Sequence, residues 1–177
     1  MSNANAAVME STEARSAAAD RGGKYLTFAL GKEEYGLEIL KVREIIGLMD
    51  ITAVPRTPKY VKGVINLRGQ VITVVDLRAK FSMALVEKTD QTCIIVVEIS
   101  QNGRKLSIGI IVDRVSEVLD IASENIEDPP NLGDGGDADF ILGMGKIGES
   151  VKILLDIDKV LSTCEILQVS DAAKASV

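Results

Sequence analysis

The 177-residue sequence contains no histidine and no tryptophan. Without imidazole there is no side chain that titrates near neutral pH unaided, and no His-based metal site. The two cysteines, Cys93 and Cys164, therefore lack the partner that a papain-like nucleophile needs. Their isolation also gives no disulfide framework, and Cys93, set in an apolar run, reads as a reduced, buried thiol. Aromatic residues are scarce, with three Tyr and three Phe, and the formal net charge is −6 with a pI of about 4.8. A chain with neither a basic footprint nor stacking rings is poorly equipped to hold nucleic acid. No apolar run approaches the roughly 18 residues of a membrane helix. Residues 1–23, rich in Ala, Ser, Asn and Glu, lack the apolar stretch of a secretory signal. These absences predict a cytoplasmic protein with no direct membrane insertion, an ordered region at 24–167 and flexible tails at 1–23 and 168–177.

What is present is apolar and punctuated. Hydrophobic residues make up 46% of the chain, enough for a packed core. Two strands are expected over Tyr25–Leu30 and Tyr35–Leu40, joined at Gly31–Glu34. Val42–Ile46 fits either a helical turn or a strand. Val61–Ile65 and Gln70–Val75 flank Asn66-Leu67-Arg68-Gly69, whose Asn first and Gly fourth fit a type I turn with Leu67 and Arg68 at its tip. Asp76 reads as the N-cap of a short helix over Leu77–Phe81. Thr92–Ile99 and Lys105–Val112 bracket Asn102-Gly103, a strong hairpin signal. Further strands are expected between Phe140 and Leu155, followed by a helix capped by Asp156.

The chain also repeats itself. Asp156 lies 80 residues beyond Asp76, and at that offset Gly63 meets Gly143, Val74 and Val75 meet Leu154 and Leu155, and Ser82 meets Ser162. Upstream, Gly36–Ile45 can be laid on Gly109–Val118 at an offset of 73. The acidic Pro/Gly loop at 128–139 can hold the seven-residue difference. Alternating strands align readily by chance, but duplication is the better account. It predicts a mainly β protein of two small lobes, about 24–82 and 91–162, with exchange of terminal strands left open. Short strands of this kind favour closed or nearly closed barrels, which leave no exposed edge.

Few motifs carry chemistry. Gly143–Gly148 matches GxGxxG, but it runs into strand-like residues and position 168 is Gln rather than an acidic residue, so tight turns explain it better than dinucleotide binding. Asp134, Asp137 and Asp139 fail the spacing of a calcium loop. Arg68 has two readings: a solvated hairpin tip, or a guanidinium paired with a nearby carboxylate such as Glu44 and presented to a partner.

Several segments together resemble one family. They are Tyr35–Ile45 (YGLEILKVREI), Lys62–Gly69 (KGVINLRG), Val74–Arg78 (VVDLR), Ile108–Val115 (IGIIVDRV) and Leu154–Lys159 (LLDIDK). In this order they are similar to the CheW family of bacterial chemotaxis coupling proteins, over residues 22–167. The resemblance implies two SH3-like five-stranded β-barrel lobes with short helices, no enzymatic activity and no cofactor. It implies a cytoplasmic adaptor, recruited to membrane-associated receptor arrays, that links the tips of transmembrane chemoreceptors to the regulatory domain of the chemotaxis histidine kinase CheA. The alternative it leaves is a regulatory module of another two-component system. The implied receptor site is a groove between lobes, with Ile39, Val42, Glu44 and Arg68 as candidates and a Glu44–Arg68 pair. Gly63, Asn66, Leu67 and Gly69 of the same motif join them as receptor or kinase contacts. For the kinase, Ile110, Val112, and Lys146 and Ile147 of the second hairpin are the further candidates.

Overall fold

The computed structural model of the protein describes residues 21–101, 103–130 and 140–161. Residues 1–20 of the expected N-terminal tail, the expected C-terminal tail, Cys164 and the Asp134, Asp137, Asp139 set lie outside the described residues, whereas Arg21 to Gly23, expected in the tail, are described and Gly23 opens the first strand. Two sheets account for the fold. The first contains β3 (Val42–Gly47), β4 (Val61–Leu67), β5 (Gln70–Asp76), β6 (Cys93–Gln101) and β7 (Arg104–Val112), in the order β3-β6-β7-β5-β4. The second contains β1 (Gly23–Leu30), β2 (Glu33–Glu38), β8 (Arg114–Ile121), β9 (Ile126–Glu127), β10 (Ile141–Ile147) and β11 (Ser150–Leu155), in the order β8-β1-β2-β11-β10-β9. Helices α1 (Leu77–Lys80) and α2 (Ile157–Val160) follow β5 and β11. We call the lobe of the first sheet lobe 1 and that of the second lobe 2.

The repeat is present, but the lobes are not consecutive in sequence. β2 and β3 correspond to β7 and β8 at the offset of 73, and β4 and β5 to β10 and β11 at the offset of 80. Both parallel pairings obey this relation: Thr73 stands opposite Ile108 on β7, and Ile153 opposite Tyr35 on β2. Thr27 faces Gly36 as Val96 faces Gly109, so β1 is the counterpart of β6. The expected division at 24–82 and 91–162 is therefore corrected. The β1–β2 hairpin completes lobe 2, because β1 pairs with β8 and β2 with β11. Among the described residues the chain crosses between lobes twice, once between β2 and β3 and once between β7 and β8.

Each sheet nearly closes. In lobe 1 the segment after β3 returns to β4 through reciprocal bonds between Thr52 and Val64, both 2.8 Å. In lobe 2 the same place holds β9, paired with β10 at Met144 and Gly145, which gives that lobe six strands instead of the expected five. Asp76 and Asp156 are N-caps, their carboxylates accepting from the amides of Arg78 at 2.9 Å and Lys159 at 3.3 Å. Their own amides donate to the carbonyls of Tyr60 and Phe140, each at 2.8 Å, two residues again 80 apart.

Three apolar clusters follow from strand alternation. Ile94, Val96, Ile65, Ile72, Val74 and Ile111 fill lobe 1. Tyr25, Ile121, Ile126 and Leu154 fill lobe 2. The largest cluster lies between the sheets and draws on both, with Leu26, Phe28 and Leu30 from β1 and Ile95, Val97 and Ile99 from β6. Strands buried on both faces read as unbroken apolar runs, as CIIVV of β6 does.

An ion pair secures the β7–β8 crossover. Arg78 donates from Nε to Oδ1 of Asp113 at 2.7 Å and from Nη2 to Oδ2 at 2.5 Å. The Gly31 amide adds a bond to Oδ2 at 2.8 Å, and Arg78 also reaches the Ala84 carbonyl at 2.7 Å. The bond from Arg78 holds the Asp113 carboxyl below its usual value of 3.8. A depressed carboxylate pKa stabilises the fold above its unfolded value, and that contribution is lost as pH falls through the folded value. Asp113→Asn should therefore cost about 2 kcal/mol at neutral pH, since it leaves the guanidinium without its counter-ion. Denaturant titrations across pH should find the difference from the parent shrinking below pH 3.8 as the parent's carboxyl protonates. A difference that persists undiminished at pH 2 to 3 would refute the assignment.

Candidate functional site

The KGVINLRG segment forms β4 and the turn into β5. Leu67 pairs with Gln70, so Arg68 and Gly69 are the two central turn residues. Their φ angles are +53° and +85°, the signature of a type I′ hairpin turn. The expected type I turn centred on Leu67 and Arg68 is corrected by one residue. The primed turn matches the twist of its strands, whereas a type I turn would splay them. Asn66 keeps a local role, its Oδ1 accepting the Gly69 amide at 2.8 Å. Gly63 is buried at a bulge in β4 with φ +141°, and offers backbone rather than a contact surface. In lobe 2, Ile147 pairs with Ser150, and Gly148 and Glu149 form the equivalent turn.

Arg68 reaches across the lobe to Glu44. The Nη2 of Arg68 donates to Oε1 of Glu44, closing an ion pair in which the arginine side chain is 71% exposed and the glutamate 28%. Such a pair contributes only about 0.2–1 kcal/mol to stability, so its consequence is orientation of the guanidinium. The undecided Val42–Ile46 segment is strand β3. A bulge between Val42 and Glu44 advances two residues of β3 against one of β6. It lets the consecutive residues Arg43 and Glu44 line the same depression, of about 350 Å³, with Arg68, Gln70 and Ser107 on its polar side. Leu67, Ile72 and Val96 supply its apolar lining. Arg43 also donates to Glu98 at 3.1 Å and to Oγ of Ser107 at 3.2 Å. Arg43, Gln70 and Ser107 were not among the sequence candidates. The bulge that brings Arg43 into the site leaves no mark in the alternation of VREII.

The other candidates divide. Ile39, in a 3-10 turn at 39–41, and Val42 are half-buried against the central cluster. That cluster fills the space between the sheets, and Ile39 and Val42 pack against it from outside. Leu40 beside them is 92% exposed. Ile110 and Val112 are 0% and 1% exposed and belong to the central cluster, which corrects their placement as kinase contacts. β7 is flanked by β5 and β6 and covered on both faces, so its apolar run IGIIV is core. Lys146 is exposed and bonded to Glu127 at 2.7 Å, while Ile147 packs half-buried on the lobe 2 cluster. These two lie at the lobe 2 hairpin, apart from the Glu44–Arg68 depression. Cys93 is half-buried rather than buried, and burial pushes its thiol pKa up, away from reactivity.

Among the described residues no group of His, Cys, Asp or Glu could hold a metal ion. No helix among them is long and apolar enough to cross a membrane. What the site offers is an oriented, mostly exposed guanidinium beside the half-buried Leu67, a surface suited to recognition.

Comparison with known proteins agrees on one family. The CheW-like domain family matches residues 24–165. The chain is 40% identical over 154 residues to the chemotaxis protein CheW of Klebsiella aerogenes, spanning 87% of this chain and 90% of that one. It is 34% identical to the chemotaxis protein CheW of Treponema pallidum, spanning 86% and 89%. The crystal structure of the scaffolding protein TtCheW from Thermoanaerobacter tengcongensis superposes with a TM-score of 0.72 at 36% identity, covering 82% of this chain and 93% of that one. The chain belongs to the CheW-like domain family, and is by that membership a chemotaxis scaffold rather than an enzyme.

Proposed function

We propose that this chain is a cytoplasmic adaptor that couples the signalling tips of transmembrane chemoreceptors to the regulatory domain of the kinase CheA. The observation that carries this reading is the Glu44–Arg68 pair at the rim of lobe 1. Arg68 is mostly exposed, held by a partner from another strand, and set beside the half-buried Leu67. Arginine beside apolar contacts is the composition of interface anchors. The strip from Ile39 to Glu44 extends this surface toward the margin between the lobes. Lys146 and Ile147 at the lobe 2 hairpin remain candidates for a second contact. Holding receptor and kinase together raises their effective concentration and lets the receptor's state bias the kinase.

The test is a pull-down with a receptor-tip fragment and the CheA regulatory domain, followed by kinase assays with and without the chain. The reading predicts capture of both and receptor control of kinase activity only when the chain is present. Folded protein that captures neither would overturn it. Service to another two-component system would instead show as binding to that system's kinase alone.

A further inference from the structure

Two charge clusters at the lobe crossovers repeat the internal symmetry with their signs exchanged. At the β7–β8 crossover, Asp113 meets Arg78 of α1 and the amide of Gly31, just beyond β1. At the β2–β3 crossover, Lys41 donates to Oδ2 of Asp158 on α2 at 2.7 Å. Oδ1 of the same carboxylate accepts the amide of Ser100 on β6 at 3.0 Å. Arg78 and Asp158 occupy one position of the repeat, 80 residues apart, and β1 and β6 are counterparts. In lobe 1 the helix supplies the cation, and in lobe 2 the anion. The geometry recurs although the residues do not, which points to a mechanical need for a clamp at each crossover.

The second clamp bears on the site. Lys41 ends the 3-10 turn Ile39–Lys41 and precedes Val42, whose amide donates to the Ile39 carbonyl. The candidate strip Ile39–Glu44 thus begins on a crossover, where the ladder of lobe 1 has yet to start. Both side chains of the pair are 31% exposed, so its attraction is modest and its effect is to fix direction. We infer that Asp158, carried by lobe 2, is a positioning residue for the Ile39–Glu44 segment of lobe 1. This rests on reading that segment as a recognition surface.

Hydrogen exchange of the free chain tests the placement without any partner. Asp158→Asn keeps an acceptor for Ser100 but removes the charge, and Lys41→Met keeps the aliphatic stem. Each should speed exchange at the Lys41 and Val42 amides about five-fold, and the double variant should be no faster than either alone. Asp113→Asn, at the other clamp, should leave those two amides at the parent rate. Affinity for the receptor-tip and kinase fragments should fall about three- to five-fold in Asp158→Asn, with Asp158→Glu restoring most of it. Unchanged exchange at Lys41 and Val42, or additive single variants, would overturn the inference. Faster exchange with unchanged affinity would remove its role in recognition. A parent chain that binds neither fragment would instead overturn the adaptor reading while the exchange result still decides the clamp.

Discussion

Gly63→Ala should lower the stability of the chain by about 3 kcal/mol, a melting temperature drop of roughly 6–12 °C for a protein of this size. A Cβ at this position would lie 2.0 Å from the Thr52 carbonyl oxygen and 3.0 Å from the Ala53 Cα. Both are backbone, so no side-chain rotation relieves the overlap. The φ of +141° adds strain for any residue with a side chain. Thr52 must move, and with it go its two 2.8 Å bonds to Val64, the backbone bridge that closes lobe 1. Leu48 and Ile51 on the same segment would lose their packing on the lobe 1 cluster. The repeat supplies an internal control. A Cβ on Gly143 would meet a methyl of Ile126 at 2.5 Å and the Glu127 carbonyl oxygen at 3.1 Å. A methyl can shift where a carbonyl in a paired bridge cannot, so Gly143→Ala should cost less. Thermal melts of the two variants side by side decide the point. Equal losses, or a Gly63→Ala chain that melts with the parent, would show that the Thr52 closure does not carry the stability assigned to it.

This glycine also shows how far the sequence could be read. Gly63 and Gly143, the capping Asp76 and Asp156, and the apolar residues between them announce a duplication because each is demanded by local geometry that both lobes share. The permutation is a different matter. Whether Tyr25–Glu38 joins lobe 1 or lobe 2 depends on β2 pairing in parallel with β11, more than 100 residues away, and no local preference encodes that choice. Ile110 and Val112 were misplaced for a related reason. An unbroken apolar run suits an exposed patch or a strand covered on both faces, and only the neighbours β5 and β6 distinguish them. At the site, the Glu44–Arg68 pair was one of two readings that the residues offered, and the family resemblance favoured it. The residues alone left Arg68 between a solvated tip and a paired one. The turn is displaced by one residue because Asn first and Gly fourth fit a type I turn, whereas the strands pair Leu67 with Gln70 and set Arg68 in the left-handed region, uncommon for a residue with a side chain.

Arg68→Gly should separate folding from recognition. At φ +53° an L-residue costs about 1 kcal/mol relative to glycine, because its Cβ crowds the following carbonyl. Glycine removes that strain but gives up about 0.5–1 kcal/mol through the greater freedom of the unfolded chain. The exposed pair with Glu44 takes away roughly 0.2–1 kcal/mol more. These contributions nearly cancel, so the variant should melt within about 4 °C of the parent. Lobe 2 already builds its equivalent turn with a glycine, Gly148, at the position of Arg68. Recognition should not be spared. Truncating a charged anchor at the centre of an interface typically costs 2 kcal/mol or more, so titration calorimetry should find affinity for one of the two partner fragments reduced about 30-fold. Glu44→Gln should weaken the same partner less, because the guanidinium survives without its orienting carboxylate. Combined with Arg68→Gly it should add nothing, since there is then no guanidinium to orient. If both partners bind the glycine variant as tightly as the parent, Arg68 lies outside the interface, and the strained turn exists without the purpose assigned to it. If the loss instead tracks melting temperature across the set, the residue serves the fold and the recognition surface must be sought at the Lys146–Ile147 hairpin.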